Sequence, residues 1–160
     1  MAVAASSGSG ADAIRLAQLY GRIIAPEHQF AEKLLLYFAW NGRPDREAVA
    51  WAIQFYESRG DKAGAAAFLQ HLADRGFASA NDRLLQAIYL NELGKSREAA
   101  QLLERLDPNL LNAALYYKTL GDAAFALGDS SRASQSYRKY LELEPNAPDK
   151  SEIESRIQSP

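Results

Sequence analysis

The 160-residue chain repeats with a period of 34 residues, and this period constrains its fold more than any other feature. Four alanines stand at that interval: Ala31, Ala65, Ala99 and Ala133. Two sets of large residues follow them, four and seven residues later: Leu35, Leu69, Leu103 and Tyr137, and then Phe38, Leu72, Leu106 and Tyr140. Because positions i, i+4 and i+7 share one side of a helix, each trio predicts the apolar face of one helix. The period therefore indicates an array of helical units that share one continuous core.

Helix breakers recur at the same interval, five residues before each alanine: Pro26, Gly60, Gly94 and Gly128. A glycine can take the left-handed conformation that ends a helix, and a polar residue (Asp61, Lys95, Asp129) then opens the next one. Each unit is therefore predicted to be a helix, a tight turn and a second helix. The predicted pairs are 11–25 with 27–41, 45–59 with 62–75, 80–93 with 96–106, and 111–127 with 130–143. Pro44, Pro108 and Pro145 fall in the joints between pairs.

The composition favours an ordinary folded, all-α chain. Hydrophobic residues make up 48% and charged residues 24% of it, which is the usage of globular proteins, and strand-favouring residues are scarce. No apolar run approaches the roughly 20 residues that cross a bilayer, so direct membrane insertion is not expected. Residues 1–10 lack the basic start and apolar stretch of a secretory signal and are predicted to be a flexible leader.

The sequence contains no residue set that would carry a reaction. It has no cysteine, which excludes disulfides, thiolate metal sites and cysteine nucleophiles. It also lacks the metalloprotease histidine pair, the phosphate-binding glycine loops and the serine elbow of hydrolases. His28 and His71 fall in different units and are expected at the surface or in turns. With a net charge of −2 and no basic block, nucleic acid is not an expected partner. We therefore expect no enzyme, no cofactor and no metal.

The last unit resembles the tetratricopeptide repeat consensus. The matching residues are Tyr117, Leu120, Gly121, Gly128, Asp129, Ala133, Tyr137, Tyr140 and Pro145. The resemblance implies a right-handed α-α superhelix, or solenoid, of about four helix pairs, with units at 11–44, 45–78, 79–110 and 111–146 and a capping helix at 149–158. The consensus places a small residue inside the first helix, as at Gly121 and Ala87. Ile53 and Leu19 replace it in the first two units, which are therefore expected to splay wider.

The same resemblance implies a concave groove, lined by the first helix of each pair, that holds a segment of a partner protein. The residues expected to line it are Leu16, Tyr20, Trp51, Gln54, Leu84, Ile88, Asn91, Lys118 and Asp122. The lining changes from apolar and aromatic to charged, which suits an amphipathic helix or an extended peptide. Core packing is an equal alternative for Leu16, Trp51, Leu84 and Ile88. A clamp for chaperone tails is disfavoured, because Leu84, Ile88 and Asp122 stand where that clamp needs cationic or amide groups.

The sequence thus predicts a protein-binding scaffold in a larger assembly. By analogy with similar arrays, that assembly could belong to a bacterial envelope, secretion or polysaccharide-export system. The cytoplasm and the bacterial periplasm both accommodate a cysteine-free chain. The alternative is a structural spacer or self-association module with an empty groove. Under either hypothesis the apolar run 34–40, with Phe38 and Trp40, offers more hydrophobic surface than an end unit normally exposes, so it is expected to pack against flanking repeats of a longer chain or to form a homodimer.

Overall fold

The computed structural model describes residues 36, 39–42 and 44–158, and every regular element in these ranges is helical. The all-α prediction is confirmed for this part of the chain. The chain divides into two compact units, the first ending at Phe77 and the second beginning at Ala78. The leader at 1–10, the helix at 11–25 and most of the helix at 27–41 lie outside the described residues, although 39–41 are helical.

The helices follow the predicted order. The first unit contains α1 (Arg46–Ser58) and α2 (Lys62–Asp74). The second contains α3 (Ala80–Glu92), α4 (Ser96–Leu103), a short 3-10 turn (Pro108–Leu110), α5 (Ala113–Ala126), α6 (Ser130–Leu143) and α7 (Lys150–Gln158). The three described pairs and the last helix are therefore confirmed, with ends that lie within three residues of those predicted.

The turn at Gly128 shows why each pair bends where it does. Gly128 has φ +76°, and the next amide, that of Asp129, donates to the carbonyl of Ala124 at 2.9 Å. This bond satisfies a carbonyl at the end of α5, and a glycine takes that φ without the strain that a Cβ atom brings to most residues. The carboxylate of Asp129 then accepts from the amide of Arg132 at 3.0 Å and caps α6. The predicted combination of a left-handed glycine and a polar opener is thus present.

Helix α4 ends at Leu103, three residues before its predicted end at 106. The amide of Leu106 bonds to the carbonyl of Leu103 at 3.0 Å, so the last turn is tightened to the 3-10 pattern. Asp107 is extended, because Pro108 disfavours the helical conformation in the residue before it. Leu106 still packs against the core. Periodicity therefore identified the apolar face correctly and placed the helix end too late.

In the first unit, α1 packs on α2, and the side chains of Ala52, Phe68, Leu69 and Leu72 are fully buried. The in-phase alanine of this unit, Ala65, is fully buried. His71 was expected at the surface or in a turn, and that prediction is wrong. The residue is half-buried within α2, and its Nε2 lies 2.7 Å from the carbonyl oxygen of Trp40. The Trp40 and His71 ring centres are 4.7 Å apart, with their planes tilted by 36°.

Two adjoining clusters form the core of the second unit. The first joins α3, α4 and α5, and its members are Leu84, Ala87, Leu90, Ala99, Ala100, Leu102, Leu103, Tyr116, Leu120 and Ala123. The second joins α5, α6 and α7, and its members are Ala114, Ala124, Ala133, Tyr137, Tyr140, Ala147 and Ile153. The in-phase alanines Ala99 and Ala133 are 0% and 2% exposed, so both occupy positions where a larger side chain would not fit.

Gly121 allows α5 and α6 to approach closely. A Cβ atom at this position would stand 2.5 Å from Cδ1 of Tyr137, well inside van der Waals contact. Helices α5 and α6 lie against each other along more of their length than α1 and α2 do. Ile53 takes the position of Gly121 in α1, which agrees with the wider packing expected for that pair. In the described part of the chain, no helix has the length and apolar character needed to span a bilayer.

Candidate partner-binding surface

The residues predicted to face a partner lie on α1, α3 and α5, the first helix of each described pair. Leu16, Tyr20 and Phe38 lie outside the described residues. On α1, Gln54 is exposed and Trp51 is half-buried. The Trp51 ring lies 5.4 Å from the ring of Phe55, one turn further along, and the guanidinium of Arg59 stands 3.7 Å from the Phe55 ring. This side of α1 therefore carries an aromatic row that ends in a cation.

Trp40, predicted as a self-association residue, is engaged within the first unit. Its indole nitrogen donates to the hydroxyl of Tyr56 at 3.0 Å, and its ring lies 5.7 Å from that of Phe68. Its backbone carbonyl accepts bonds from His71 and Arg75, both at 2.7 Å. The side chain remains half-buried. Trp40 thus contributes to the packing of its own unit through both its ring and its backbone.

On α3 the three predicted residues occupy different environments. Leu84 is 2% exposed and belongs to the core, so it presents no surface to a partner. Ile88 is partly buried and packs against the same core. Asn91 is partly exposed, and its Oδ1 accepts a bond from the hydroxyl of Ser96 on α4. This bond holds the Asn91 amide in one orientation at the end of α3.

A cavity of about 310 Å³ brings three of the predicted residues together in the second unit. It lies between α3, α5 and α7, and its lining is Asn91, Lys118, Asp122, Phe125, Ala126, Asp149, Glu152, Ile153 and Arg156. Its volume suits one or two amino-acid side chains. The lining contains two cations and three carboxylates, together with the exposed ring of Phe125. The predicted partner-binding residues of α5 therefore border a cavity whose lining carries both positive and negative charges.

Asp122 is held from two sides. Its Oδ1 accepts from the Tyr137 hydroxyl on α6 and from Nη1 of Arg156 on α7, both at 2.8 Å. The same guanidinium nitrogen donates to the Tyr137 hydroxyl oxygen at 2.9 Å. The guanidinium carbon of Arg156 lies 5.2 Å from the ring centre of Phe125. The three groups form a closed hydrogen-bonded triangle that joins three helices.

A second link lies one turn earlier on α5. The ammonium of Lys118 is 3.0 Å from Oδ2 of Asp149, and the hydroxyl of Tyr140 donates to Oδ1 of the same carboxylate at 2.7 Å. Asp149 stands immediately before α7. Lys118 and Asp122, predicted from the sequence to meet a partner, thus both bond to the C-terminal helix segment.

Burial and hydrogen bonding fix the protonation states of this network. Burial raises the pKa of Tyr140 from its ordinary 10.0 to about 12, and the bond to Asp149 adds to the rise. Burial likewise raises the pKa of Tyr137 far above its usual value. Burial alone would raise the pKa of Asp149, but hydrogen bonds from Tyr140 and Lys118 outweigh it and hold that pKa below 3.8. At neutral pH the tyrosines are therefore neutral donors, and Asp149 is a charged acceptor.

Asp149 and Arg156 were not predicted from the sequence as site residues. A signal for Arg156 was present, because it follows Asp122 by 34 residues, the repeat period. Glu152 follows Lys118 at the same interval. Two positions of α5 thus carry charges opposite to those at the same repeat positions of α7. An opposite-charge search at the repeat period would have found the pairing of Asp122 with Arg156.

The described residues include no group of three or more His, Asp or Glu side chains arranged to hold a metal ion. The network around Asp122 is a set of hydrogen bonds between helices. It presents a polar surface with fixed donors and acceptors to a binding partner. No protein-family model, curated protein or solved structure matches the chain.

Proposed function

We propose that this chain is a non-catalytic scaffold built of tetratricopeptide-type helix pairs, which binds a peptide or helix of a partner protein. In this proposal the pairs stack as a right-handed solenoid, and their first helices line the binding groove. The supporting observation is the burial of the in-phase alanines Ala65, Ala99 and Ala133, at 0%, 0% and 2% exposure, inside successive helix pairs. Repeats that pack alike present the same side of each first helix to one surface.

In each unit, the residues that we assign to the partner lie on the first helices of the pairs. Gln54 is exposed on α1, Asn91 is partly exposed at the end of α3, and Lys118 and Asp122 border the cavity beside α5. Trp51 and Ile88 are half-buried and would supply apolar anchors next to these polar groups. Leu84 is left out, because its side chain is in the core. A partner segment with apolar anchors and a polar stretch suits this lining.

We further propose that the scaffold works within a larger assembly, such as an envelope, secretion or polysaccharide-export system of a bacterium. The setting rests on analogy with arrays of similar composition. The proposal assigns no catalytic role to the residues that line the cavity. Titratable groups in this lining form hydrogen bonds between helices instead.

Site-directed photo-crosslinking tests the proposed surface. The chain has no cysteine, so Gln54→Cys and Gln101→Cys each create a single site for a benzophenone maleimide. Both glutamines are exposed and helical, but Gln54 is on the first helix of its pair and Gln101 on the second helix of the next. The two variants are therefore matched in chemistry and differ in the surface that they report.

We expect Gln54-labelled protein to crosslink a defined partner from the source cell, and we expect Gln101-labelled protein not to crosslink it. The captured segment, identified by mass spectrometry, should then compete with its parent protein as a synthetic peptide. Equal capture at both positions, or capture at Gln101 alone, would reject the first-helix surface as the binding site.

The alternative proposal is a self-association module with no groove ligand. The indole nitrogen, ring and carbonyl of Trp40 already have partners inside the first unit, and this observation favours the scaffold instead. Concentration-dependent light scattering separates the two, because a self-associating module would gain mass as the chain is concentrated.

A further inference from the structure

Helix α7 contacts the rest of the second unit through one side only. Asp149, Ile153 and Arg156 are spaced by four and three residues, so they fall on one face of a helix. Ile153 is 1% exposed, Asp149 pairs with Lys118, and Arg156 pairs with Asp122. The other positions of α7 up to residue 155, together with Gln158, are exposed. Ile157 is partly buried and packs on the same cluster as Ile153. The attachment of this helix therefore combines two aliphatic side chains with one acidic and one cationic side chain.

Helix α7 buries fewer side chains than any other described α-helix. Helix α7 has nine residues, fewer than an isolated helix needs to persist in water, and Ile153 is its single buried side chain. The ion pairs contribute little, because the side chains of Lys118 and Asp149 are 34% and 23% exposed and those of Arg156 and Asp122 are 31% and 26% exposed. Helix α7 should therefore open at a smaller free energy than the global unfolding of its unit.

The packing of α7 is also incomplete. The cavity of about 310 Å³ lies directly between α7, α5 and α3. Phe125 is 42% exposed at its edge, although its helix neighbour Ala124 is buried. The helix thus covers part of the α5 surface and leaves a gap beside it. A segment that filled this gap as well would gain apolar contacts that α7 does not make.

The connection to α7 provides a joint. Residues 144–149 are not helical and contain two prolines, Pro145 and Pro148. Because neither proline can donate a backbone hydrogen bond, the connection cannot join α6 and α7 into one continuous helix. Ala147 is the one buried residue in this stretch. Rotation about the joint would carry α7 away from α5 and would also break the bonds of Asp149 and Arg156 to Tyr140 and Tyr137 of α6, while α6 stays packed on α5.

We propose that α7 is a detachable latch over the α5 surface, and that the partner segment which displaces it is a helix carrying an acidic, an aliphatic and a cationic residue at positions i, i+4 and i+7. Lys118 and Asp122 have opposite charges one turn apart, so they accept this order of charges and repel the reverse order. The inference rests on the proposed function, since it names the class of partner that uses the first-helix surface.

The test uses the full chain and a fluorescent peptide with the sequence of residues 145–158, which carries the required pattern. The double variant I153A/R156A loosens the resident helix and leaves Lys118 and Asp122 in place. We expect this variant to bind the peptide about ten-fold or more tightly than the unmodified chain does, as measured by fluorescence anisotropy, because the resident helix no longer competes. A control peptide in which Asp149 and Arg156 are exchanged should bind neither protein.

Hydrogen exchange of the unmodified chain gives a second measurement that needs no variant. The amides of α7 should exchange about 100-fold or more faster than those of α5, because the latch opens without global unfolding. Equal peptide affinity for both proteins, no binding to a folded double variant, binding of the exchanged peptide, or exchange in α7 as slow as in α5 would each overturn the latch. None of these measurements involves an outside partner, so a failure here is distinct from a failure of the crosslinking test.

Discussion

At the scale of single residues, Tyr137 contributes both to the packing of the core and to the hydrogen bonds between helices. Its side chain is fully buried, its ring lies against Gly121, and its hydroxyl bonds to both Asp122 and Arg156. A buried ring held at both ends has little freedom to move aside. Substitutions around Tyr137 should therefore report how rigidly α5, α6 and α7 are joined.

The first prediction concerns Gly121→Ala. An alanine raises helix propensity by about 1 kcal/mol, but its Cβ would stand 2.5 Å from Cδ1 of Tyr137. We expect a net destabilisation of about 1 to 3 kcal/mol, because overpacking forces the ring or the helix to shift. Urea denaturation measures the free energy of unfolding. In the Tyr137→Leu background, which lacks the ring, the same substitution should cost much less, and an equal cost in both backgrounds would contradict the clash.

The second prediction follows from the raised pKa values of Tyr137 and Tyr140. A group whose pKa is raised on folding contributes stability below its ordinary pKa, and that contribution is lost as pH rises through the folded value. Stability of the second unit should therefore hold up to about pH 10 and fall as the pH rises toward 12, the pKa of Tyr140. Denaturation at several pH values measures this fall. Tyr140→Phe should reduce it, and an unchanged slope would contradict the assignment.

At acid pH, the dependence of stability on pH has the opposite sign to that at alkaline pH. The pKa of Asp149 is held below its ordinary value of 3.8 by the bonds from Tyr140 and Lys118. A lowered pKa contributes stability above that ordinary value and loses it as the pH falls through the folded value. The attachment of α7 through Asp149 is therefore insensitive to pH across the neutral range.

At the scale of secondary-structure elements, the tight turns fix the register of the helices. The glycines at 60, 94 and 128 all have positive φ, between +65° and +76°, and each is followed by the residue that opens the next helix. A Cβ atom added at Gly94 would have no heavy atom within 4 Å beyond those of its two chain neighbours, so a substitution there meets no steric obstacle from the rest of the chain. The requirement at this position is one of backbone conformation alone.

The third prediction tests whether backbone conformation alone requires a glycine at position 94. Gly94→Ala should destabilise the chain by about 1 kcal/mol, because an alanine is strained at φ +75°. Gly94→Asn is the matched control, since asparagine tolerates the left-handed conformation and should lose less despite its larger side chain. Thermal unfolding followed by circular dichroism compares the two. A larger loss with asparagine than with alanine would show that space, and not φ, decides the residue.

At the scale of the whole molecule, the described chain consists of two compact units that share one helical pattern. Each unit has its own buried centre, formed by Phe68, Leu69 and Leu72 in the first unit and by the two adjoining clusters in the second. The aromatic residues of the first unit, including Trp40, are bonded within it. Self-association through Trp40 would compete with these contacts.

The fourth prediction is that the chain has the mass of one copy, 17.6 kDa, at all concentrations studied by light scattering. Trp40→Ala should leave this mass unchanged but lower the free energy of unfolding by roughly 3 kcal/mol, because the ring packs on Phe68 and His71. A mass that rises with concentration, and returns to one copy in the Trp40→Ala variant, would support the self-association alternative instead.

Within the described residues, the sequence alone determined where the helices lie and that the in-phase alanines are buried. The 34-residue period placed Ala65, Ala99 and Ala133 in the core, and the in-phase glycines placed the turns, because both depend on interactions between residues that are near in sequence. The end of α4 was placed too late, because Pro108 and a tightened last turn overrode a favourable apolar pattern. Leu84 illustrates the limit of such patterns. The period fixes the side of α3 on which Leu84 lies, but it does not determine whether other helices bury that side.

Only the tertiary structure decided what surrounds Lys118 and Asp122. Both were identified as charged residues on a first helix, and the sequence suggested an open groove around them. In the fold, the chain after Pro145 returns to the same surface, where Asp149 and Arg156 pair with them and Ile153 is buried beside them. These contacts depend on how a proline-containing connection directs one short helix across another, and no local spacing encodes that direction. Helix periodicity is a local property, whereas the partner of a surface charge is set by the packing of distant segments.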